Sequence, residues 1–226
     1  MRVVAVIAVK KNSDRVESKN FRNFYGGLSL FELKIKQLHA AGCFDRIYVS
    51  SDFEDLAERQ QELGYTYLRR DKEFCNNITP WSDVIHCVMS SLPEDSNTHA
   101  AWCHTTSPLF SEYADCINTY QEKIKEGEFD GLVTVKRISE FLISDKGLPI
   151  NYSWGVWHHY SQHLPKVYAV NGALFVSKIK TMIENRYVIS RKPFLHEVSD
   201  LVSIDVDTEL DFAYAQSVMQ NRHHDV

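Results

Sequence analysis

Residues 2–9 read Arg-Val-Val-Ala-Val-Ile-Ala-Val and run straight into Lys10-Lys11-Asn12-Ser13-Asp14-Arg15-Val16-Glu17-Ser18-Lys19-Asn20. The first stretch is almost unbroken in Val, Ile and Ala, the pattern of a strand buried on both faces of a sheet. The second carries Lys10, Lys11, Arg15 and Lys19, with Val16 its one hydrophobe. In open parallel sheets ligands gather beyond the carboxyl ends of the strands, so this junction indicates where chemistry belongs as well as which fold to expect. Backbone N–H groups and lysines on such a loop can wrap a polyphosphate, though a solvated charged turn has the same composition. The loop is not a P-loop, because it contains neither G-x-x-x-x-G-K-[ST] nor G-x-G-x-x-G.

Outward from this strand the chain alternates. Leu28, Phe31, Ile35 and Leu38 fall at helical spacing within 28–42, and Gly42 ends that helix. Residues 46–52 read as a strand, 53–63 as a helix carrying Leu56, Gln60 and Leu63, and 65–68 as a short strand. Thr79-Pro80 opens a helix with an apolar stripe from Trp81 to Leu92, Pro80 taking the first helical position. A strand over 100–104, a helix over 111–126 and a strand over 131–136 continue the series. The alternation predicts an α/β fold with a mostly parallel sheet and helices on both faces.

The pattern breaks at 141–166, where aromatic residues and histidines without helical period predict an arm of short strands and loops. Strand character returns over 167–176 and again up to Ile204. Thr208 and Asp211 then make a capping pattern for a last helix with Phe212, Ala215 and Met219 inward. Residues 1–226 therefore read as one domain with an inserted arm.

Composition narrows the function. With 226 residues, 44% of them hydrophobic and 24% charged, the chain is neither disordered, collagen-like nor a coiled coil. Lys and Arg number 25 against 30 Asp and Glu, a net charge of −5 that supplies no basic surface for nucleic acid. The opening apolar run is too short to span a membrane and reads as a strand, not a leader, which predicts a cytoplasmic protein with no membrane partner. Five cysteines without a C-x-x-C pair predict reduced, buried thiols. Ser13, Ser51 and Ser107 lie in no nucleophile elbow. His158, His159 and His163 lack the spacing of a zinc site.

Asp205-Val206-Asp207 is the second candidate. On a strand the two carboxylates would project to one side and offer hard oxygens to Mg²⁺ beside substrate phosphates. An acidic turn leading into a helix has the same sequence and needs no metal.

Taken together, the Lys-rich loop ending Lys19-Asn20, Val49-Ser50-Ser51-Asp52, Thr106-Ser107-Pro108-Leu109, Asn171-Gly172-Ala173 and Ile204-Asp205-Val206-Asp207 follow one order. That order resembles the acylneuraminate cytidylyltransferases, the CMP–sugar-acid synthetases, from Met1 to about Met219. The resemblance implies a Rossmann-like nucleotidyltransferase sheet and a reaction in which an acidic sugar of nonulosonic or keto-sugar type attacks CTP and releases pyrophosphate. It implies a homodimer built through an arm within 140–166. Lys19 inherits a phosphate-binding, catalytic role, and Lys10, Asn12, Ser13, Arg15, His104 and Ser107 fall at nucleotide-binding positions. Gln162 and Asn171 fall at acceptor positions, and Asp205 and Asp207 match the catalytic metal pair for Mg²⁺.

The departures are specific. Lys10 stands for an arginine, keeping charge but losing the bidentate fork. Asn12 stands for a glycine, His104 for a glutamine and Phe110 for a common arginine. Further family arginines correspond to Tyr160 or Ser161 and to Ala169, which points away from sialic acid itself as the acceptor. Two rival readings follow from them: a nucleotide-binding homologue that has lost catalysis, and a transferase with another acidic acceptor such as a phosphonate.

Overall fold

In the computed structural model, which describes residues 1–13, 16–158 and 160–221, the Val-rich opening forms β1 (Val3–Ala8) at the middle of the sheet. Val3 to Ile7 are all buried, as a strand covered on both faces requires. A small hairpin, β2 (Asn23–Tyr25) with β3 (Leu28–Ser29), leads into α1 (Leu30–Ala41). Ser29 and Glu32 close a full capping box there, and Gly42 ends the helix at φ +62°. Next come β4 (Arg46–Ser51), α2 (Asp55–Leu63), β5 (Thr66–Arg69), α3 (Trp81–Ser90), β6 (His99–Cys103), α4 (Tyr113–Glu126) and β7 (Gly131–Ile138). The remainder is β8 (Val167–Lys178), α5 (Ile179–Asn185), β9 (Pro193–Glu197) and α6 (Glu209–Asn221).

The seven-stranded sheet runs β5-β4-β1-β6-β8-β7-β9. Every neighbouring pair is parallel except those made by β8, which lies antiparallel between β6 and β7. The mostly parallel α/β sheet read from the sequence is therefore the one observed. On one face Phe31, Ile35 and Leu38 of α1, Leu56 of α2 and Tyr113, Cys116 and Tyr120 of α4 cover the strands. On the other, α3 and α5 close over Val4, Val6 and Trp102. A third cluster joins Val16, Phe24, Leu30, Val206 and Phe212, so α6 is packed against the first loop and the hairpin.

Three expectations need correction. Asp205 and Asp207 are not on a strand: β9 ends at Glu197, and residues 204–207 belong to no regular element. Val206 N–H reaches the Thr106 carbonyl at 2.8 Å, which ties the segment to the loop after β6 without building a ladder. Pro80 stands at the N-cap of α3, one place earlier than its predicted position, while Thr79 turns its hydroxyl back to the Glu73 carbonyl. The region 141–166 contains no named strand among its described residues, but an isolated bridge between Ile143 and Pro149 and two short 3-10 turns.

Candidate functional site

The carboxyl ends of β1, β5 and β6 open onto one cleft of about 740 Å³. Lys10, Ser13 and Lys19 line it from the first loop, Arg70 from the end of β5, and His104 to Thr106 from the end of β6. Trp81 and the loop 76–80 make the opposite wall. Local backbone explains how the first loop reaches inward. Ser18 adopts φ +48°, a left-handed value that costs a non-glycine residue, and its carbonyl accepts from Phe21 and Arg22 N–H. That turn directs Lys19 under the loop, where it is buried.

Lys19 Nζ donates to the Val206 carbonyl at 2.7 Å and lies 3.6 Å from Asp207 Oδ1. The segment holding both aspartates is thereby fixed from two directions, by Lys19 and by Thr106. Val206 between them is fully buried in the third cluster, while Asp205 and Asp207 keep part of their surface in solvent. Asp211 caps the start of α6 by accepting from Thr208 N–H, Thr208 Oγ1 and Asp207 N–H, at 2.8, 2.7 and 3.2 Å. The helix-capping side chains are thus those of Asp211 and Thr208, and Asp207 contributes its backbone N–H. Among the described residues no group of three or more His, Cys, Asp or Glu converges as a metal cage.

Across the cleft Lys10 Nζ donates to Asn77 Oδ1, so the loop 76–80 is joined to the first loop. Arg70 is buried; its Nη2 donates to the Val9 carbonyl and its Nε to Cys75 Sγ, both at 2.9 Å. Trp81 is 44% exposed and sits edge-on to Trp102 and His104, with centroids 5.4 and 6.2 Å apart. Burial first, then Lys34 and Lys19, pushes the His104 imidazole down to about 4, so the ring is neutral at neutral pH. Its buried Nε2 has no hydrogen-bond partner among the described residues. Gly172 passes close by: at φ +75°, a Cβ placed there would lie 3.4 Å from His104 Nδ1.

The structure thus brings Lys10, Ser13, Lys19 and His104 into one cleft, with Asp205 and Asp207 beside it. Asn12 falls in an adjoining smaller pocket with Lys11 and Asp52. Ser107 is buried behind the cleft wall. Asn171 is buried on β8, where its Oδ1 accepts from Thr134 Oγ1 at 2.7 Å and its Nδ2 has no hydrogen-bond partner among the described residues. Gln162 lies on an exposed 3-10 turn of the arm, outside the cleft lining. Asp14, Arg15, His159 and the terminal histidines lie outside the described residues. Arg70, Asn77 and Trp81 were not singled out from sequence as site residues. Arg70 could have been found by treating Arg69-Arg70-Asp71 as another strand end.

No protein-family model matches the chain. Among curated proteins it is 24% identical over 221 residues to the N-acylneuraminate cytidylyltransferase of Streptococcus agalactiae serotype III, covering 95% of this chain and 52% of that protein. The chain therefore spans about half the length of that relative. It is 26% identical over 238 residues to the CMP-N,N'-diacetyllegionaminic acid synthase of Legionella pneumophila, covering 97% of each. Among solved structures, CMP:2-keto-3-deoxy-manno-octonic acid synthetase complexed with CTP superposes with a TM-score of 0.66 at 12% identity, over 98% of this chain and all of that one. The resemblance carried by the five motifs is matched by these relatives, and the Rossmann-like sheet by the solved structure.

Proposed function

We propose that this chain, a relative of the acylneuraminate cytidylyltransferases, joins CMP from CTP to an acidic sugar of the nonulosonic or keto-sugar type. The observation that carries the reading is the meeting of Lys10, Lys19 and Arg70 on one cleft beside Asp205 and Asp207. In the reaction an acceptor hydroxyl oxygen forms a bond to the α-phosphorus, the bond from that phosphorus to the bridging oxygen breaks, pyrophosphate leaves and the hydroxyl proton passes to solvent. No covalent enzyme intermediate is needed. The work falls to positioning and to charge stabilisation, which fixed cations perform well in a partly dry cleft.

Lys10 and Lys19, with Arg15 from the same loop, hold the triphosphate in this reading, with Asn12 and Ser13 shaping the turn. Arg70 adds a cation fixed by Val9 and Cys75. His104, neutral and with an unused ring nitrogen, faces the nucleotide, and Ser107 supports its loop. Gln162 and Asn171 are assigned to the acceptor. Two carboxylates whose oxygens are hard donors fit Mg²⁺, a cation commonly held by one or two carboxylates together with substrate phosphates. Asp205 and Asp207 would hold it, and the ion would neutralise phosphate charge during transfer.

What supports a homodimer is the arm, along whose sequence Ile143, Ile150, Trp154, Val156 and Tyr160 all stand exposed, a run of large apolar side chains of the kind that marks interaction surfaces. All five cysteines are free thiols, which fits a cytoplasmic setting. No helix among the described residues is long and apolar enough to cross a membrane. The deciding experiment is pyrophosphate release from CTP, UTP, ATP and GTP across a panel of acidic sugars and phosphonates, with and without Mg²⁺. CTP-selective release with an acidic keto-sugar supports the reading. CTP binding without release for any acceptor replaces it with a nucleotide-binding homologue, and preference for a purine nucleotide overturns it.

A further inference from the structure

Lys34 belongs to α1 and has no exposed surface at all. Its Nζ donates to the Ser107 carbonyl at 2.9 Å and to the Tyr113 hydroxyl at 2.5 Å. Among the described residues it bonds to no carboxylate, so a buried ammonium here would have no counter-ion of its own. Burial pushes this amine down to about 7, so its proton is in balance near neutral pH. A lysine in this state is costly to keep unless the site uses it.

Its place in the bonding network indicates that use. The loop from His104 to Leu109 is pinned to the α1 side by three bonds: Thr105 Oγ1 to Asn20 Oδ1 at 2.7 Å, Lys34 to Ser107, and Gln37 Nε2 to the Pro108 carbonyl at 2.6 Å. The same loop gives its Thr106 carbonyl to Val206 N–H, between Asp205 and Asp207. The Lys34 amine is therefore one bonded loop away from the aspartate segment. The titratable groups facing it are the Cys103 thiol on β6, His104 beyond it and Tyr113 on α4. Burial keeps all three neutral, raising the thiol to about 12, holding the imidazole at about 4 and lifting the phenol well above its usual value. His104 in turn feels Lys34 itself, Lys19 and Asp207. On α1 itself Glu32 is committed to Ser29 and Arg59.

We propose that Lys34 is a positioning residue of the nucleotide site, fixing the His104–Leu109 loop and through it the Asp205–Asp207 segment, and taking up a proton when the polyphosphate anion binds. The inference rests on the CTP-binding reading above. A polyanion in the cleft favours the protonated amine, and the neutral amine of the empty site spares the fold the cost of a buried charge.

The test is calorimetric titration of Mg²⁺–CTP at pH 7.5 in two buffers of different ionisation enthalpy, on the wild type, Lys34→Met and Tyr113→Phe. Met conserves bulk, and replacing a buried charge by an apolar group is often neutral or stabilising, so the melting temperature should hold or rise. Lys34→Met is expected to weaken CTP about tenfold and to remove on the order of half a proton of uptake per nucleotide. Tyr113→Phe, which keeps the amine and its bond to Ser107, should keep that uptake. Wild-type affinity and proton uptake in Lys34→Met overturn the inference while leaving the function standing; a wild type that binds no CTP overturns the function itself. If Lys34→Met does not fold, the Lys34 ε-carbon resonance of the wild type decides: its titration midpoint should move up with CTP bound, and an unmoved midpoint overturns the inference.

Discussion

Lys19 donates its ammonium to the Val206 carbonyl at 2.7 Å and thereby stands 3.6 Å from Asp207 Oδ1. One contact joins the loop after the first strand to the segment before the last helix, two regions far apart in the chain. The cation and the carboxylate arrive together because Val16 on one segment and Val206 on the other are buried in the same apolar cluster. Packing sets the position of the charge, and the charge is where a polyphosphate entering along Lys10 and Ser13 would meet it.

That relationship separates Lys19 from its neighbour. Lys19 is buried and fixed, whereas Lys11 is exposed with its ammonium 4.5 Å over the Phe53 ring, on the side of the smaller pocket. A fixed, partly desolvated lysine makes charge-assisted bonds worth more than those of a solvated one. Lys19→Ala is therefore expected to raise the dissociation constant for CTP by about tenfold or more, the strength of such charge-assisted bonds, and Lys11→Ala to change it little. Titration calorimetry on both variants checks this. Equal losses would mean that the loop acts through its overall charge, with no specific cradle.

Much of this arrangement was legible in the sequence. Val3 to Ile7 had to be buried on both faces, and the rule that ligands sit at strand ends led directly to Lys10, Ser13 and Lys19. Other parts were not. Pro193 begins an edge strand, a position open to proline because one side of the strand needs no ladder bond, and so β9 was hidden. Trp81 fitted the apolar stripe of α3 by spacing, yet the helix starts at the cleft and leaves the ring at its wall. Asp205 and Asp207 had the alternation of a strand, but the bond that fixes them goes to a loop carbonyl, which no local pattern encodes.

Acid sensitivity follows from two histidines that the fold keeps neutral. Burial, with Lys178 adding to it, pushes His99 down to about 4; His104 reaches the same value through burial, Lys34 and Lys19. In the unfolded chain both would take a proton near pH 6.5. Their contribution is thus complete above about pH 6.5 and is lost as pH falls toward 4, because only the unfolded state gains protons in that window. Glu32, held down to about 2 against Arg59 and Ser29, adds its loss only below its usual range near 4.5. Melting temperature should therefore fall between pH 6.5 and 5, ahead of the carboxylates, and His99→Gln should flatten part of that slope. A flat profile through this interval would show that the rings accept protons without opening the fold.

The exposed arm makes a prediction about assembly. Val156 is 92% exposed and Trp154 59%, so aspartate at either place costs the single chain little but disrupts an apolar contact between two copies. We expect the wild type to sediment as a dimer at micromolar concentration and the Trp154→Asp, Val156→Asp double variant as a monomer with an unchanged melting temperature. A wild type that sediments as a monomer at that concentration removes the arm from the assembly.

The metal assignment can be put to the test because the structure assigns capping to other residues. Asp211 and Thr208 already cap the start of α6 through their side chains, and Asp207 joins that arrangement through its backbone N–H, which an amide side chain leaves in place. Asparagine keeps the shape of aspartate and removes the charge a hard cation needs beside a polyphosphate. Asp205→Asn and Asp207→Asn should each abolish Mg²⁺-dependent pyrophosphate release, by about a hundredfold or more if charge neutralisation in the transition state is their work. The melting temperature should change little, since Val206 keeps its buried place and its bond to Thr106. Asp207→Asn also removes the carboxylate beside Lys19, so its CTP affinity without metal should hold or improve while the gain on adding Mg²⁺ disappears. That opposite movement of the two affinities distinguishes a lost metal ligand from a damaged phosphate site. If both variants keep the wild-type response to Mg²⁺, the aspartates are scaffold, and the metal must be sought on the substrate or elsewhere in the cleft.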